Sequence, residues 1–363
     1  MMIKKTILNQ IHIFFALLLV HFLISCGNTP EKESGHLPTL FTVKTDLKAK
    51  TLIKGPQLQD PWDIALIDST LIIGNYKGEP LLELYDLFGK PIKQTTAKGK
   101  GPGEILVIGN IQVSQNNNNF WVYDLFGKKL LKFSLKELLK KEKYVPETLV
   151  TFSNEKESSA YFSSTLVGND YLIGESISPQ GRFALLKPNG SLIKYMVNFP
   201  EKTDKSLSAI ENAKLYEGEL VLSPDRKKLA FVTNNACRID LYEVTQTGID
   251  SIWSYERFPP NGYKRIQIGG QSQIAFTNKA QTGYLDIATS ENFVYALFSG
   301  KKIGEKDYSF GNIIHVVSWD GRKTFEYHLD KNINRLTVDA DKVIYGTSIN
   351  EYGEPEIVKF ENL

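Results

Sequence analysis

The segment whose residue types most invite a chemical interpretation is the glycine-rich run Gly99-Lys100-Gly101-Pro102-Gly103-Glu104. Successive backbone amides in such a run can cradle an anion. A phosphate-binding loop must lead into a helix, whereas this run lacks Gly-Lys-Ser/Thr and continues as the strand-like Ile105–Ile108. The sequence therefore predicts a turn between two structural repeats. A second hypothesis is that Lys100 and Glu104 face a central channel and contact a ligand.

Metal and nucleophile sites have little support in the sequence. Beyond residue 25 the histidines are His36, His315 and His328, and no two have the spacing of helical metal ligands. Asp339-Ala340-Asp341 lacks the further carboxylates of a calcium loop, so we predict a turn there. Cys237, in a strand-like setting, is interpreted as a small half-buried hydrophobic residue. No Gly-x-Ser-x-Gly elbow is present, and we expect no catalytic residue, metal or cofactor.

Trp62 is the tryptophan that we predict to line a binding face, because it follows Asp60-Pro61 at the entrance of a repeat. The tryptophans at 121, 253 and 319 lie in predicted strands and are expected to pack inside the fold. The candidate ligand-binding residues are therefore Trp62, Lys100 and Glu104.

The N-terminus has the parts of a secretory signal, with Lys4 and Lys5 followed by an apolar stretch from Ile11 to Ile24. That stretch is shorter than the roughly 20 residues of a permanent transmembrane helix. Leu23-Ile24-Ser25-Cys26 resembles the lipobox of bacterial lipoproteins, in which the cysteine thiol is diacylated. We therefore predict a signal peptide over residues 1–25 and lipidation of Cys26. The alternative is an ordinary signal peptide with an incidental cysteine.

Residues 26–38 are polar and are predicted to form a flexible, lipidated tether. Gly27 stands where an aspartate retains lipoproteins at the inner membrane of well-studied Gram-negative bacteria. This favours an outer-membrane location in the cell envelope and leaves the leaflet open. Removing residues 1–25 takes away two lysines and no acidic residue, so the mature chain is formally neutral. A neutral chain lacks the basic excess of nucleic-acid-binding proteins, and we expect no nucleic-acid partner.

An internal repeat indicates the architecture. Tyr85-Asp86-Leu87-Phe88-Gly89-Lys90 recurs unchanged at 123–128, an offset of 38 residues that is close to the period of propeller blades. Each copy is interpreted as the turn that closes the outer hairpin of a blade. Looser copies at 186–190, 242–248 and 317–321 bring the number of blades to five.

A sixth blade is implied by the two ends of the chain. Residues 334–363 supply only three strand-like runs, whereas Leu40–Val43 and Thr51–Ile53 are strand-like segments that precede the first blade. Pairing an N-terminal strand with the C-terminal blade would close the ring and leave only short edges. Seven blades would require a cryptic repeat.

Two motifs resemble a known family. Ser223-Pro224-Asp225-Arg226-Lys227-Lys228-Leu229-Ala230-Phe231 resembles the blade signature of TolB-type propellers, with Arg226 in place of a glycine. The run at 99–104 is similar to a Gly-x-Gly-Pro-Gly-Glu segment of the TolB-like, six-bladed propeller lipoproteins common in Bacteroidota. The resemblance covers nearly the whole mature chain and implies the fold and an envelope location. It implies no activity, because most of that family has none assigned.

These observations predict an all-β, TolB-like six-bladed propeller over residues 39–363, closed by an N-terminal strand and tethered to a membrane by its lipid. The function that we expect is that of a non-enzymatic binding or scaffold module for a protein or glycan partner. The alternative is a metal-dependent lactonase- or lyase-type enzyme, because other six-bladed propellers hold a divalent ion at the axis. Ligands from separate blades would be far apart in the chain.

Overall fold

The computed structural model describes residues 40–114, 118–152, 164–167, 171–176, 178–200, 204 and 206–363. Cys26, the signal peptide and the tether lie outside these residues. The described chain consists of β-strands with two short helices, α1 (Leu135–Lys140) and α2 (Ala209–Leu215). Within it, no helix has the length and apolar character needed to cross a membrane.

The strands form six radial sheets, the blades of a propeller. Two strands precede the first blade: β1 (Lys44–Leu47) and β2 (Ala49–Lys54). From the innermost strand outwards, blade 1 contains β3 (Pro61–Ile67), β4 (Thr70–Asn75), β5 (Leu82–Asp86) and β6 (Pro91–Thr95). Blade 2 contains β7 (Ile108–Ser114), β8 (Asn119–Asp124), β9 (Lys129–Ser134) and β10 (Glu147–Thr151). Blade 3 contains β11 (Ser164–Val167), β12 (Tyr171–Glu175), β13 (Phe183–Leu186) and β14 (Leu192–Met196).

The second half of the ring follows the same plan. Blade 4 contains β15 (Gly218–Leu222), β16 (Lys228–Thr233), β17 (Cys237–Thr245) and β18 (Gly248–Phe258). After it comes a separate hairpin, β19 (Tyr263–Ile268) and β20 (Gln271–Phe276). Blade 5 contains β21 (Tyr284–Thr289), β22 (Phe293–Phe298), β23 (Gly311–Ser318) and β24 (Thr324–Ile333). Blade 6 contains β25 (Arg335–Asp339), β26 (Val343–Ile349) and β27 (Pro355–Glu361).

Burial changes with the position of a strand in its blade. The second strand of blade 1, β4, is buried along its whole length, as expected for a continuous apolar run covered on both faces by neighbouring blades. The outermost strand, β6, has no fully buried residue. The core therefore consists of apolar layers between the blades, and the inner strands surround a central channel.

The N-terminal segment closes the ring, as the sequence predicts. Strand β2 pairs antiparallel with β27 and supplies the missing outer strand of blade 6. The strand predicted at Leu40–Val43 lies instead at β1, and its pairing was not expected: it adds to blade 5 as a fifth strand, parallel to β24, with Lys44 beside Glu326. Two successive strands from one end of the chain thus hold two adjacent blades, 5 and 6.

The repeated hexapeptide does not occupy equivalent places in its two blades. Tyr85–Lys90 joins β5 to β6 and closes the outer hairpin of blade 1, as predicted. Tyr123–Lys128 joins β8 to β9, one strand nearer the axis, so the prediction of an outer hairpin is wrong for this copy. In blade 2 the connection to the outer strand β10 instead contains α1, whose first turn is capped by the Ser134 side chain.

The hairpin β19–β20 lies outside the blades and rests on α2. Helix α2 begins with a capping box, in which Ser208 and Glu211 satisfy each other's backbone N–H groups. Leu215 at its end packs with Tyr216 and with Ile274 of the hairpin. Apolar contact with α2 therefore supports this pair of strands.

Candidate functional site

Five inner strands present polar side chains to the channel, and we call this set the polar ring: Asp63, Asn110, Glu219, Asp286 and Arg335. Three of them, Asp63, Asn110 and Asp286, directly follow a β-bulge in the inner strand. A bulge re-aims the residues next to it, which explains how these three side chains enter the channel. Glu219 and Arg335 enter it from strand pairs of regular register.

Two acids of the polar ring bond to the neighbouring blade. Asp63 Oδ2 accepts a hydrogen bond from the backbone N–H of Ile111 in blade 2, at 2.6 Å. Asp286 Oδ2 accepts one from the backbone N–H of Leu336 in blade 6, also at 2.6 Å. These carboxyl groups join adjacent inner strands and so have a structural role. The Glu219 side chain makes no hydrogen bond to the part of the chain described and faces the channel.

Burial governs the charge of these acids. It raises the pKa of Asp63 to about 7, with a further contribution from Asp286, against the opposing effect of Arg335. Burial likewise raises the pKa of Asp286 to about 6 and that of Glu219 to about 8, again opposed by Arg335. Glu219 is therefore mostly protonated at neutral pH, and the ring carries less negative charge than its composition suggests.

Arg335 connects the polar ring to the end of the channel where the inner strands begin, which we call the first mouth. Its guanidinium lies 4.7 Å from the centroid of the Trp62 ring and donates to the carbonyl of Leu285 at 3.2 Å. Trp62 in turn lies beside Tyr76, with 5.4 Å between ring centroids, and both side chains are 37% exposed. The exposed Trp62–Tyr76 pair, with the Arg335 guanidinium against the Trp62 ring, thus forms the rim of the first mouth.

A cavity of about 200 Å³ opens beside this pair. Its wall includes Glu217, Glu219 and Asn234, together with Trp62 and Tyr76. The first mouth therefore combines aromatic faces with carboxyl and amide groups. A second cavity, of about 120 Å³, occupies the channel between the polar ring and the opposite end, which we call the second mouth.

The structure separates the predicted ligand-binding residues. Trp62 lies at the first mouth, whereas Lys100 and Glu104 lie in the turn between β6 and β7 and line neither of the two channel cavities. The Glu104 carboxylate folds back onto its own loop and accepts from the N–H of Gly101 at 2.7 Å. Gly103 has φ +78°, and a Cβ there would lie 2.8 Å from Pro146. The predicted turn between repeats is confirmed; a ligand contact by any of the three remains a prediction.

Within the described ranges, no group of three or more His, Cys, Asp or Glu side chains is arranged to hold a metal ion. Asp339-Ala340-Asp341 forms the predicted turn, between β25 and β26. Asp341 accepts hydrogen bonds from Tyr295 at 2.6 Å and Asn292 at 2.8 Å, so its oxygens link blade 6 to blade 5.

Cys237 begins a buried polar chain between blades 4 and 5. Its thiol lies 3.5 Å from the Tyr284 hydroxyl, which is hydrogen-bonded to His315 Nδ1 at 2.8 Å. His315 Nε2 lies 3.2 Å from Glu326, and the Phe41 ring stacks on the imidazole at 4.1 Å. Burial raises the pKa of the Cys237 thiol to about 11. The residue is fully buried rather than half-buried, and its thiol is not activated for nucleophilic attack.

Sequence reasoning missed the polar ring, although one signal was available. Asp63-Ile64-Ala65 and Asp286-Ile287-Ala288 have the same sequence and the same position in their inner strands. The match is three residues long and the copies are four blades apart, so the period of 38 residues does not reveal it.

The fold and this site define a six-bladed β-propeller with a polar channel. The chain belongs to the TolB-like six-bladed propeller family, whose model matches residues 40–341. Two solved structures are similar, both over 88% of this chain. One is a Bacteroides fragilis protein described as exported (11% identity, 99% of that chain, TM-score 0.50). The other is a DUF4221-family member from Bacteroides vulgatus (9% identity, 97% of that chain, TM-score 0.55). At these identities the likeness shows the fold alone. No curated protein matches the sequence.

Proposed function

We propose that this protein is a lipid-anchored, non-enzymatic binding module of the bacterial cell envelope, and that its first mouth binds a glycan. The observation that carries the glycan proposal is the exposed Trp62–Tyr76 pair beside a polar cavity. Aromatic faces stack on the apolar faces of sugar rings, while neighbouring carboxyl and amide groups bond the hydroxyls. Glu219 and Asn234 are suitably placed for that second role.

A glycan is favoured over a protein partner by the size and polarity of the site. A stable protein interface buries about 1,000 Å² or more, with a large apolar centre. The first mouth instead offers two aromatic side chains and a cavity of about 200 Å³, which suits one or two sugar rings. The test below can also show that the partner is a protein instead.

Glycan binding is tested by array screening and titration of the full-length protein in detergent. Trp62→Ala removes the larger platform, and we expect roughly two- to twelvefold weaker binding, since an aromatic contact contributes about 0.5–1.5 kcal/mol. Phe88→Ala is the matched control, because Phe88 is 89% exposed at the β5–β6 turn, away from both channel cavities. If Trp62→Ala and Phe88→Ala change the affinity equally, the glycan proposal is wrong. It is also wrong if cross-linking in cells yields only proteins.

The anchor is supported by the lipobox at Leu23–Cys26 and by the description of a structural relative as exported. Lipidation supplies several acyl chains, and stable membrane attachment requires at least two such signals. We expect the wild-type protein to label with palmitate and sediment with membranes, and Cys26→Ala to lose both properties. Cys237→Ala is the control for labelling, because that thiol is buried. Membrane-bound, palmitate-labelled Cys26→Ala protein would exclude the anchor.

A further inference from the structure

Two turns in the protein have the same hydrogen bonds but different residues at their strained position. In Ser223–Lys228 and in Ser318–Lys323, the first serine hydroxyl donates to an aspartate two residues on, at 2.6 Å in both. The same hydroxyl accepts from the last backbone N–H, at 3.0 and 2.9 Å. The fourth residue is left-handed in both: Gly321 has φ +72° and Arg226 has φ +61°. The turn of the family motif therefore forms with arginine in place of glycine.

Arginine at that position destabilises the turn relative to glycine. A left-handed backbone costs a residue with a Cβ about 1 kcal/mol relative to glycine. The turn Ser318–Lys323, which has glycine at this position, forms the same hydrogen bonds. Strained residues persist where their side chains contribute to structure or function, so the contacts of the Arg226 side chain are decisive.

The side chain of Arg226 reaches into the second mouth and crosses to two other blades. Its guanidinium lies 4.9 Å from the centroid of the Trp121 ring in blade 2. Its Nη2 donates to the carbonyl of Leu166 in blade 3. Within the described part of the chain, its buried Nε has no hydrogen-bond partner and no carboxylate forms an ion pair with it. Burial lowers the pKa of the guanidinium below its usual range. Among the described residues, the guanidinium is thus a cation without a counter-ion.

Trp121 supplies a second unused donor at the same place. Its side chain is only 4% exposed and lines the 120 Å³ cavity together with Arg226. Its indole N–H has no acceptor among the residues that the structure describes, in contrast to that of Trp319, which donates to the carbonyl of Ser290 at 3.0 Å. Buried N–H groups are nearly always bonded, so an unpaired donor next to an unpaired cation indicates a missing acceptor with negative charge.

We propose that the second mouth is an anion-binding site, in which Arg226 and the indole N–H of Trp121 bind the carboxylate or phosphate group of a small molecule. A planar guanidinium suits both groups, since it can donate two parallel hydrogen bonds. The cavity has space for a small head group. This site is separate from the glycan site at the first mouth and does not depend on it.

The charges facing the site set its pH dependence. Asp63, Glu219 and Asp286 line the far side of the same cavity, with Arg335 behind them. Burial raises the pKa of Glu219 to about 8 and that of Asp63 to about 7. Asp63 and Glu219 are therefore mostly neutral at pH 6 and become negative as the pH rises to 9. Acetate keeps a single negative charge over that interval, so its affinity for the site falls as these acids ionise and repel it.

The experiment is a titration of the full-length protein in detergent, labelled with ¹⁵N-tryptophan, with inorganic phosphate and with acetate in separate arms. The sequence has four tryptophans, so the indole N–H signals are few. We expect a saturable shift of the Trp121 signal in at least one arm and no shift of the Trp319 signal. The arm with the lower dissociation constant identifies the head group. If the Trp121 signal is unchanged in both arms, the proposal is wrong.

Variants separate binding from structure. Arg226→Gly keeps the turn and relieves its strain but loses the contacts to blades 2 and 3, so we expect a Tm close to that of the wild type together with at least tenfold weaker anion binding. Arg226→Lys retains the charge without the planar fork and covers the case in which the glycine variant does not fold; we expect several-fold weaker binding. Lys227→Gln, at the exposed neighbouring residue, is the control and should bind normally. Wild-type affinity in either Arg226 variant would show that the arginine only joins blades.

Discussion

The two copies of the repeated hexapeptide have one sequence and two structures. In the first copy, Asp86 Oδ1 accepts from the N–H groups of Phe88 and Lys90, at 2.9 and 2.8 Å, within an exposed turn. In the second, the buried Asp124 accepts from Leu106, Val107 and Gly127, which includes two residues of the preceding connection. The left-handed residue also differs: it is Gly89 in the first copy and Lys128 in the second.

The difference arises from what surrounds each turn. The first copy is at the outer edge of its blade, where the side chain of Asp86 has only its own loop to bond. The second is one strand nearer the axis, and the chain arriving from blade 1 lies against it. Six identical residues therefore specify a tight turn, while the neighbouring strands decide which turn it is and how much it stabilises the protein.

Asp124→Ala is expected to have the largest effect. It leaves three backbone N–H groups without an acceptor and removes the partner of Lys129, 3.9 Å away. Loss of a buried, multiply bonded carboxylate should lower the free energy of unfolding by about 3 kcal/mol. Urea unfolding measures this. A cost no larger than that of Asp86→Ala would show that the two copies are equivalent after all.

Gly89→Ala comes next, at about 2 kcal/mol, because φ is +82° and the new Cβ would lie 2.5 Å from the carbonyl oxygen of Leu52. Gly127→Ala has a different obstacle, since its Cβ would lie 2.0 Å from the Asp124 carboxylate. A double-mutant cycle separates these two causes. The cost of Gly127→Ala should nearly vanish in the Asp124→Ala background, whereas that of Gly89→Ala should be unaffected by Asp86→Ala. Absence of the first coupling would contradict the assigned contact.

Asp86→Ala should cost about 1 kcal/mol, because the two N–H groups that it leaves can bond to water. The same urea titration gives the value. A loss above 2 kcal/mol would mean that the outer turn contributes more to blade 1 than its exposure indicates.

Phe88→Ser and Phe126→Ser are expected to have the smallest effects, within about 0.5 kcal/mol, since both side chains are largely exposed, at 89% and 67%. Their Tm values should match that of the wild type. A clear destabilisation by Phe126→Ser alone would place that ring in a contact that the structure does not show.

The sequence predicted the repeat, the six blades and the closing strand, because local turn chemistry and the strand count at the two ends are enough for these features. It did not predict the place of the second hexapeptide or strand β1, because both depend on contacts with distant segments. The polar ring was missed for the same reason, because it too depends on contacts between distant segments. Trp62 could be proposed from its local setting, whereas Asp63, Glu219 and Arg335 meet only after the ring closes, from positions far apart in the chain.

Ring closure also sets an order of events during folding. Strand β2 is among the first segments to be synthesised, yet its partner β27 is among the last, and such long-range pairing is slow to form. Strands β1 and β2 must therefore remain unpaired until their partners β24 and β27 have been synthesised. Because β2 and β27 pair in the same sheet, deleting either strand would open the ring at blade 6.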